Sequence, residues 1–169
     1  MYTRWSPELT RLLDSTNGTK SVRVGNLEYH VFAGDTQEAL LSIADTIDDV
    51  IENGRTQKHS KKSTASLFSV GGQTFFGKHV RFHQKAFGLR FRYFLQPSRS
   101  FWTAVVANRL QEAGIGTPKV YAIGERRTLQ LISDSYIITE ALKDAQTADA
   151  VLRTQPNSYE LLQNAGKLL

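Results

Sequence analysis

The sequence lacks cysteine, so it has neither a disulfide framework nor a metal site built on thiolates. Its four histidines are scattered, without the close spacing that is typical of zinc sites. No segment approaches the roughly 18 continuous apolar residues of a membrane span, and the N-terminus has no apolar core of the kind that a secretory signal requires. These absences favour a protein of the reducing cytoplasm, either in solution or peripheral to a membrane.

Acidic residues are missing from the middle third of the chain. No Asp or Glu occurs between Gly54 and Gln111, whereas residues 1–53 carry nine acidic groups against four basic ones. Such a cationic segment favours an anionic ligand: nucleotide phosphates, a phosphorylated sugar-lipid, nucleic acid or an anionic membrane leaflet. The alternative is a solvated surface that packs beside the acidic N-terminal third. The basic residues of the segment are Arg55, Lys58, Lys61, Lys62, Lys78, Arg81, Lys85, Arg90, Arg92, Arg99 and Arg109.

The first third of the chain is predicted to form a helix, a hairpin and a second helix. Pro7, after a capping serine, starts the first helix. Alternating apolar residues around a Gly-Asn turn predict a hairpin over residues 21–32. Asp35 and Glu38 are spaced as a capping pair, and the apolar residues after them recur at helical spacing. They predict one amphipathic helix that ends at Asn53.

The remainder of the chain is predicted to be mainly strands, with one helix between them. Gly71 and Gly72 mark a tight turn, and Gly114 is a fitting C-terminal stop for the helix. The predicted elements are strands at 55–59, 65–70 and 73–80 with a loop at 60–64, a helix that Ser98 or Ser100 caps, a hairpin of 119–123 and 129–132, a strand at 135–139, and two helices that begin at Thr147 and Ser158.

The predicted order is a strand that carries a lysine, then a helix, then two strands that end in a short link. The small ATP-binding lobe of a kinase has the same order of elements. Four segments of residues 55–169 are informative: Phe76-Gly77-Lys78-His79-Val80, Pro97-Ser98-Arg99-Ser100, Leu110-Gln111-Glu112-Ala113-Gly114-Ile115-Gly116-Thr117-Pro118-Lys119-Val120, and Ser135-Tyr136-Ile137-Ile138-Thr139-Glu140-Ala141-Leu142. In these segments the sequence resembles the bacterial lipopolysaccharide core kinases, the Kdo/WaaP family of Kdo and heptose kinases.

The resemblance implies an α+β fold with a protein-kinase-like N-lobe, which is an antiparallel sheet of about five strands and one C-type helix. Residues 55–142 would form this lobe, residues 1–54 an N-terminal extension, and residues 143–169 the first helices of a truncated C-lobe. It also implies phosphoryl transfer from ATP to a Kdo or heptose sugar of the lipid A inner core, at the cytoplasmic side of the inner membrane. The groups that hold magnesium and the catalytic Asp would lie beyond Leu169, so we expect no kinase activity from this chain alone.

Five residues are the candidate nucleotide site. Lys78 stands between Phe76 and Val80 on one strand, where a poorly hydrated ammonium needs an anion; the resemblance implies that it neutralises the α- and β-phosphates of ATP. The resemblance also implies that backbone groups of the link from Glu140 to Leu142 bind the adenine edge. The other two candidates, which would grip phosphate by charge, are Lys61 and Lys62.

The sequence departs from a kinase lobe in two ways. The helix after Ser98 has no glutamate to pair with the strand lysine, and Thr103 stands where the acid is expected. The loop at residues 60–64 contains no glycine to bring backbone close to phosphate. Both departures favour, as an alternative, a non-catalytic interaction module with a kinase-like fold.

Aromatic and basic residues alternate between Phe82 and Phe94. This composition is also typical of a platform for single-stranded nucleic acid, although no motif of a nucleic-acid-binding fold accompanies it. Residues 85–95 could instead lie against anionic lipid headgroups, or the aromatic residues could pack beneath the neighbouring helix.

Overall fold

A computed structural model of the chain describes residues 7–82, 93–94 and 96–142. Seven strands form one antiparallel sheet in the order β1-β2-β6-β7-β5-β4-β3. The strands are β1 (Lys20–Val24), β2 (Leu27–Val31), β3 (Arg55–Ser60), β4 (Ser63–Val70), β5 (Gln73–Arg81), β6 (Val120–Thr128) and β7 (Leu131–Glu140).

Helices cover parts of both faces of the sheet. One face carries α3 over β4 and β5, and the other carries α4 over β6 and β7, with α1 packed on α4. The helices are α1 (Pro7–Leu13), a 3-10 turn (Ser15–Asn17), α2 (Gln37–Leu41), α3 (Ile47–Glu52) and α4 (Arg99–Glu112).

The sheet is wider than the sequence predicts. The hairpin of β1 and β2 forms as expected, but β2 also pairs with β6, so the hairpin extends the sheet from five strands to seven. The residues on the two sides of position 54 therefore share one sheet. A mixed α+β chain with this sheet is compatible with a kinase-like N-lobe. The helices expected after Thr147 and Ser158 lie outside the described residues.

The prediction of one helix between Asp35 and Asn53 is wrong. Two short helices, α2 and α3, are joined by turns in which Ala44 and Thr46 donate to carbonyls three residues back. The capping pair is also absent: Thr36 occupies the N-cap position of α2 and makes no side-chain cap bond. The hydroxyl of Ser42 bonds to a backbone carbonyl of α2, which is the competition that makes serine unfavourable inside helices.

The end of the sheet's longest hairpin was also mispredicted. β7 is one continuous strand, not two, and β6 runs up to Thr128. Leu129 and Gln130 form the turn between them with φ of 50° and 66°. Residues other than glycine and asparagine rarely adopt this left-handed backbone conformation. Leucine and glutamine therefore do not predict a turn here. Arg127 holds the turn by donating to the Gln130 carbonyl at 2.9 Å.

Two hydrophobic cores lie on opposite faces of the sheet. The core beneath α3 includes Phe68, Phe75 and Ile51, and the core beneath α4 includes Phe101 and Ile137. Gly77 of β5 lets the first core close tightly. A Cβ at this position would lie 2.6 Å from the Phe68 ring and 3.0 Å from the Ile51 side chain.

We therefore predict that Gly77→Ala lowers the free energy of unfolding by about 1–3 kcal/mol, because an added methyl overpacks a filled core. Gly116→Ala is the matched control, since a Cβ there meets open space. Urea unfolding followed by circular dichroism measures both. Equal stability of the two variants would contradict the close approach of α3 to β5.

Candidate functional site

Lys78 lies on the face of the sheet that α4 shares. Residues directly opposite each other on neighbouring strands project to the same face, and Lys78 is opposite Ile137 of β7. Ile137 packs with Phe101 of α4 in the second core. Gly77 and His79 belong to the other face, beneath α3. β5 therefore presents one set of side chains to a core and the other to the α4 side.

The prediction that Lys78 is poorly hydrated is wrong, because the residue is exposed. Phe76 and Val80 beside it are half-buried, and its neighbour on β4 is the small, buried Ala65. Helix α4 contacts the next strand of the sheet, β7, where the hydroxyls of Ser100 (α4) and Ser135 (β7) are hydrogen-bonded at 2.5 Å.

We name the α4-side surface of β3, β4 and β5 the open face. Among the described elements, no helix packs extensively on it. It combines basic side chains that are exposed with apolar ones that are half-buried. Its residues are Arg55, Lys58, Leu67, Phe76, Lys78 and Val80, which the strand registers place on one side of the sheet.

The positive charge of the open face is not neutralised within the described residues. Arg55, Lys58 and Lys78 form none of the ion pairs there. Other arginines of the described chain do have carboxylate partners; Arg126, for example, lies 2.7 Å from Asp48. A cluster of unpaired cations beside apolar side chains is suited to a ligand with an apolar body and an anionic group.

Lys61 and Lys62 are exposed at the turn between β3 and β4. The turn is shorter than the predicted loop, because Ser60 pairs directly with Ser63. The Ser60 hydroxyl accepts the Ser63 N–H at 3.0 Å, which removes one backbone donor from any role in cradling phosphate. The exposed side chains of the two lysines are available to contact an anion.

The link after β7 has a mixture of engaged and free backbone groups. The Glu140 N–H donates to the Lys119 carbonyl at 2.8 Å, so it cannot bind a ligand as well. Within the described residues, no hydrogen bond engages the Leu142 N–H, and the Leu142 side chain is exposed. The Glu140 carbonyl accepts the Thr139 hydroxyl at 3.3 Å, so one of its two lone pairs and the Leu142 N–H remain for recognition.

The candidate residues are spread out beside β5, one after another along its length, and do not converge on one point. The turn of Lys61 and Lys62 is beside Val80, two residues or about 7 Å along the strand from Lys78. Glu140 is opposite Phe75, three residues or about 10 Å in the other direction. A ligand that touches all of them must therefore be extended along β5.

The start of α4 is fixed by a buried ion pair on β6. Glu125 accepts the backbone N–H of Ser98 and pairs with Arg127 at 2.8 Å. Arg127 also donates to the carbonyls of Tyr93 at 2.7 Å and Gln96 at 2.8 Å. Ser98 occupies the N-cap position as expected, but its hydroxyl makes no cap bond, so the predicted serine cap is replaced by a carboxylate from the sheet.

Helix α4 brings no acidic side chain to Lys78. Its one acidic residue is Glu112 in the last turn, which pairs with Arg11 of α1 at 2.5 Å. Thr103 is exposed, and its hydroxyl bonds to the Arg99 carbonyl of its own helix. The fold thus supplies no acidic partner from α4 for Lys78, as the sequence of the helix already indicates.

A polar cluster lies on the other side of β5, between the sheet and α3. It consists of His79, Asp134, Tyr136, Asp48 and Arg126. His79 bonds to Asp134 at 2.9 Å and stacks on the Tyr136 ring at 4.7 Å. Asp48 of α3 accepts from the Tyr136 hydroxyl at 2.6 Å and from Arg126 at 2.7 Å. These bonds attach α3 to β5, β6 and β7.

The polar cluster shifts the acidity of its members. Burial opposes ionisation of Asp134, but the hydrogen bond from His79 and the charges of His79 and Arg126 outweigh it, so the pKa of Asp134 is lowered. Burial, then the bond to Asp48, raises the pKa of Tyr136, which keeps its hydroxyl a donor. Asp134 therefore remains ionised although it is mostly buried.

The aromatic segment is described only at its ends. Phe82 is buried, and its ring contacts the Tyr93 ring edge-on at 5.2 Å. Phe82 is thus enclosed, whereas Tyr93 is half-buried. Residues 83–92 and 95, on which the membrane and nucleic-acid hypotheses mainly depend, lie outside the described residues.

One cavity in the described part of the chain lies away from the open face. It has a volume of about 420 Å³ and lies between α1 and α4, with Arg11, Asn108 and Lys119 in its wall. No group of histidine and acidic side chains among the described residues could hold a metal ion. In the described part of the chain, no helix has the length and apolar character needed to cross a membrane.

Sequence reasoning did not identify Lys58 and Arg55 as neighbours of Lys78. Their basic character was evident, but their position depends on strand pairing: Lys58 is opposite Ala65, and Ala65 is opposite Lys78. The only feature of the sequence that could have indicated this proximity was the short spacing of the three strands, which suggests that they pair in order.

No protein-family model matches this chain, and no curated protein sequence matches it. Among solved structures, the chain is similar to one described as "WaaP in complex with acyl carrier protein", with 22% sequence identity and a TM-score of 0.42. The match covers 66% of this chain and 40% of that chain. The functional proposal below therefore rests on the geometry of β3, β4 and β5.

We predict that the polar cluster makes stability fall in acid. Because the pKa of folded Asp134 is below its usual value, the stabilisation is complete above the unfolded pKa of about 3.9 and is lost as pH falls through the folded pKa. Asp134→Asn should flatten the loss of unfolding free energy between pH 5 and pH 3, measured by urea titration. The control is Asp49→Asn, at an exposed position on α3. Identical pH profiles for wild type and Asp134→Asn would contradict the assignment.

Proposed function

We propose that this chain is the ATP-binding lobe of a sugar kinase that resembles the lipopolysaccharide core kinases. The observation that carries the proposal is the open face. It places the exposed, unpaired Lys78 between half-buried Phe76 and Val80, on the face that α4 shares. An apolar surface beside cations suits a purine ring joined to a polyphosphate.

The arrangement along β5 supports one orientation of the nucleotide. The base would lie toward the link, where the Glu140 carbonyl can accept and the Leu142 N–H can donate. The phosphates would extend past Lys78 toward Lys61 and Lys62. The order of these groups along the strand follows from the registers of β4 and β7 with β5. Lys78 would contact phosphate as an exposed cation, which is a weaker contact than a buried one.

The acceptor and the metal belong to the same proposal. A Kdo or heptose sugar of the lipid A inner core would receive the phosphoryl group, and the protein would act in the cytoplasm at the surface of the inner membrane. Magnesium would accompany ATP, because metal ions neutralise the charge that develops on the phosphates during transfer.

A non-catalytic interaction module is the second candidate. It is favoured by one observation, the absence of an acidic partner for Lys78 on α4. In kinases that partner holds the lysine in place. The two candidates differ in a simple property: the lobe of a kinase binds Mg-ATP, and the module does not.

We predict that Mg-ATP raises the melting temperature of this chain, because a ligand that binds only the folded state stabilises it. Lys78→Met should weaken ATP binding about fivefold, since an exposed charge pair contributes up to about 1 kcal/mol and 1.4 kcal/mol is tenfold. Isothermal titration calorimetry measures the affinity.

Lys20→Met is the matched control, because it removes the same charge from β1 at the far edge of the sheet, where Lys20 pairs with Glu38. No melting shift at millimolar Mg-ATP would overturn the nucleotide proposal and favour the interaction module. Equal affinities of the two variants would remove Lys78 from the site.

A further inference from the structure

Lys58 and Lys78 face the same side of the sheet with one small residue between them. Lys58 of β3 is opposite Ala65 of β4, and Ala65 is opposite Lys78 of β5. Adjacent strands lie about 4.8 Å apart, so the Cα atoms of the two lysines are about 10 Å apart. The residue between them, Ala65, is small and itself buried, whereas both lysines are exposed.

Each lysine lacks a partner within the described residues, where neither forms an ion pair or a side-chain hydrogen bond. An exposed lysine on an edge strand often serves to prevent pairing with another sheet. That explanation suits Lys58, because β3 is an edge strand with an irregularity between Thr56 and Lys58. It does not suit Lys78, because β5 has a hydrogen-bonded strand on each side.

The turn beside this row lacks the glycines of the usual phosphate-binding loop. Its backbone closes on itself through the Ser60 hydroxyl and the Ser63 N–H, and the Lys62 carbonyl accepts from the Arg81 N–H. Glycine-rich loops instead point several free N–H groups at phosphate oxygens. In this chain, charge on the open face must supply what the backbone of the turn does not.

We propose that Lys58 is a second phosphate-binding residue, which holds a polyphosphate together with Lys78 across Ala65. This inference rests on the proposed function, because the polyphosphate is that of the bound nucleotide. A triphosphate carries several negative charges along its length, so it can engage two ammonium groups at once. The lysine pair replaces, by side-chain charge, the backbone contacts of a glycine-rich loop.

The test is calorimetric titration of the full chain with Mg-ATP and, separately, with inorganic tripolyphosphate. Lys58→Ala should lower the affinity for both ligands about fivefold, which is the effect of losing one exposed charge pair. Lys58→Arg, which keeps the charge, should stay close to wild type. Lys20→Ala, which removes the same charge from the far edge of the sheet, should leave both affinities unchanged. The melting temperature of each variant without ligand reports whether it is folded.

The outcomes separate this inference from the proposed function. If wild type binds Mg-ATP and Lys58→Ala binds it equally well, the role of Lys58 is overturned and the nucleotide proposal stands. If tripolyphosphate binding depends on Lys58 but adenine nucleotides bind no better, the phosphate site is supported and the kinase assignment is overturned. If neither ligand binds wild type, both are overturned.

Discussion

The alternation of side chains along β5 is the constraint on which the site depends. Successive residues of a strand point to opposite faces, so a shift of one residue in register would exchange the two sets. The set beneath α3 is fixed by Gly77, where the core has no space for a Cβ, and by His79 in the polar cluster. These contacts leave Lys78 no alternative but the open face.

The side chains on the two faces of β5 therefore differ in what they contact. The α3 side is filled by a core and by ion pairs that satisfy one another, which stabilises the sheet without involving a ligand. On the α4 side the helix packs on β6 and β7 and stops short of β5. What remains is a surface of basic and apolar side chains with no anion from the described residues. A cationic surface of this kind is stabilised by a ligand that brings the negative charge.

Local structure could largely be read from the sequence, because it depends on neighbours along the chain. The hairpins at Gly25 and Gly71 follow from turn residues and alternation, and α4 ends before Gly114 as predicted. The break between α2 and α3 could not be read from the apolar periodicity, since the buried residues keep helical spacing while Ser42 competes for the backbone. The turn at Leu129 has no local signal.

The candidate site was less predictable, because exposure and strand pairing are properties of the whole fold. Phe76 and Val80 suggested that Lys78 is poorly hydrated, but its exposure depends on what the neighbouring strands and helices cover. The position of Lys58 beside Lys78 likewise depends on two strand registers. Sequence identified the lysine and its neighbours in the chain but not its neighbours in space.

The central claim is that nucleotide binds on the open face. An NMR titration that follows the backbone amide shifts of the chain with Mg-ATP tests it most directly. The account predicts that the largest shifts fall in residues 55–81 and at Leu142, while the cavity between α1 and α4 is unchanged. Shifts confined to that cavity, around Arg11 and Lys119, would contradict it.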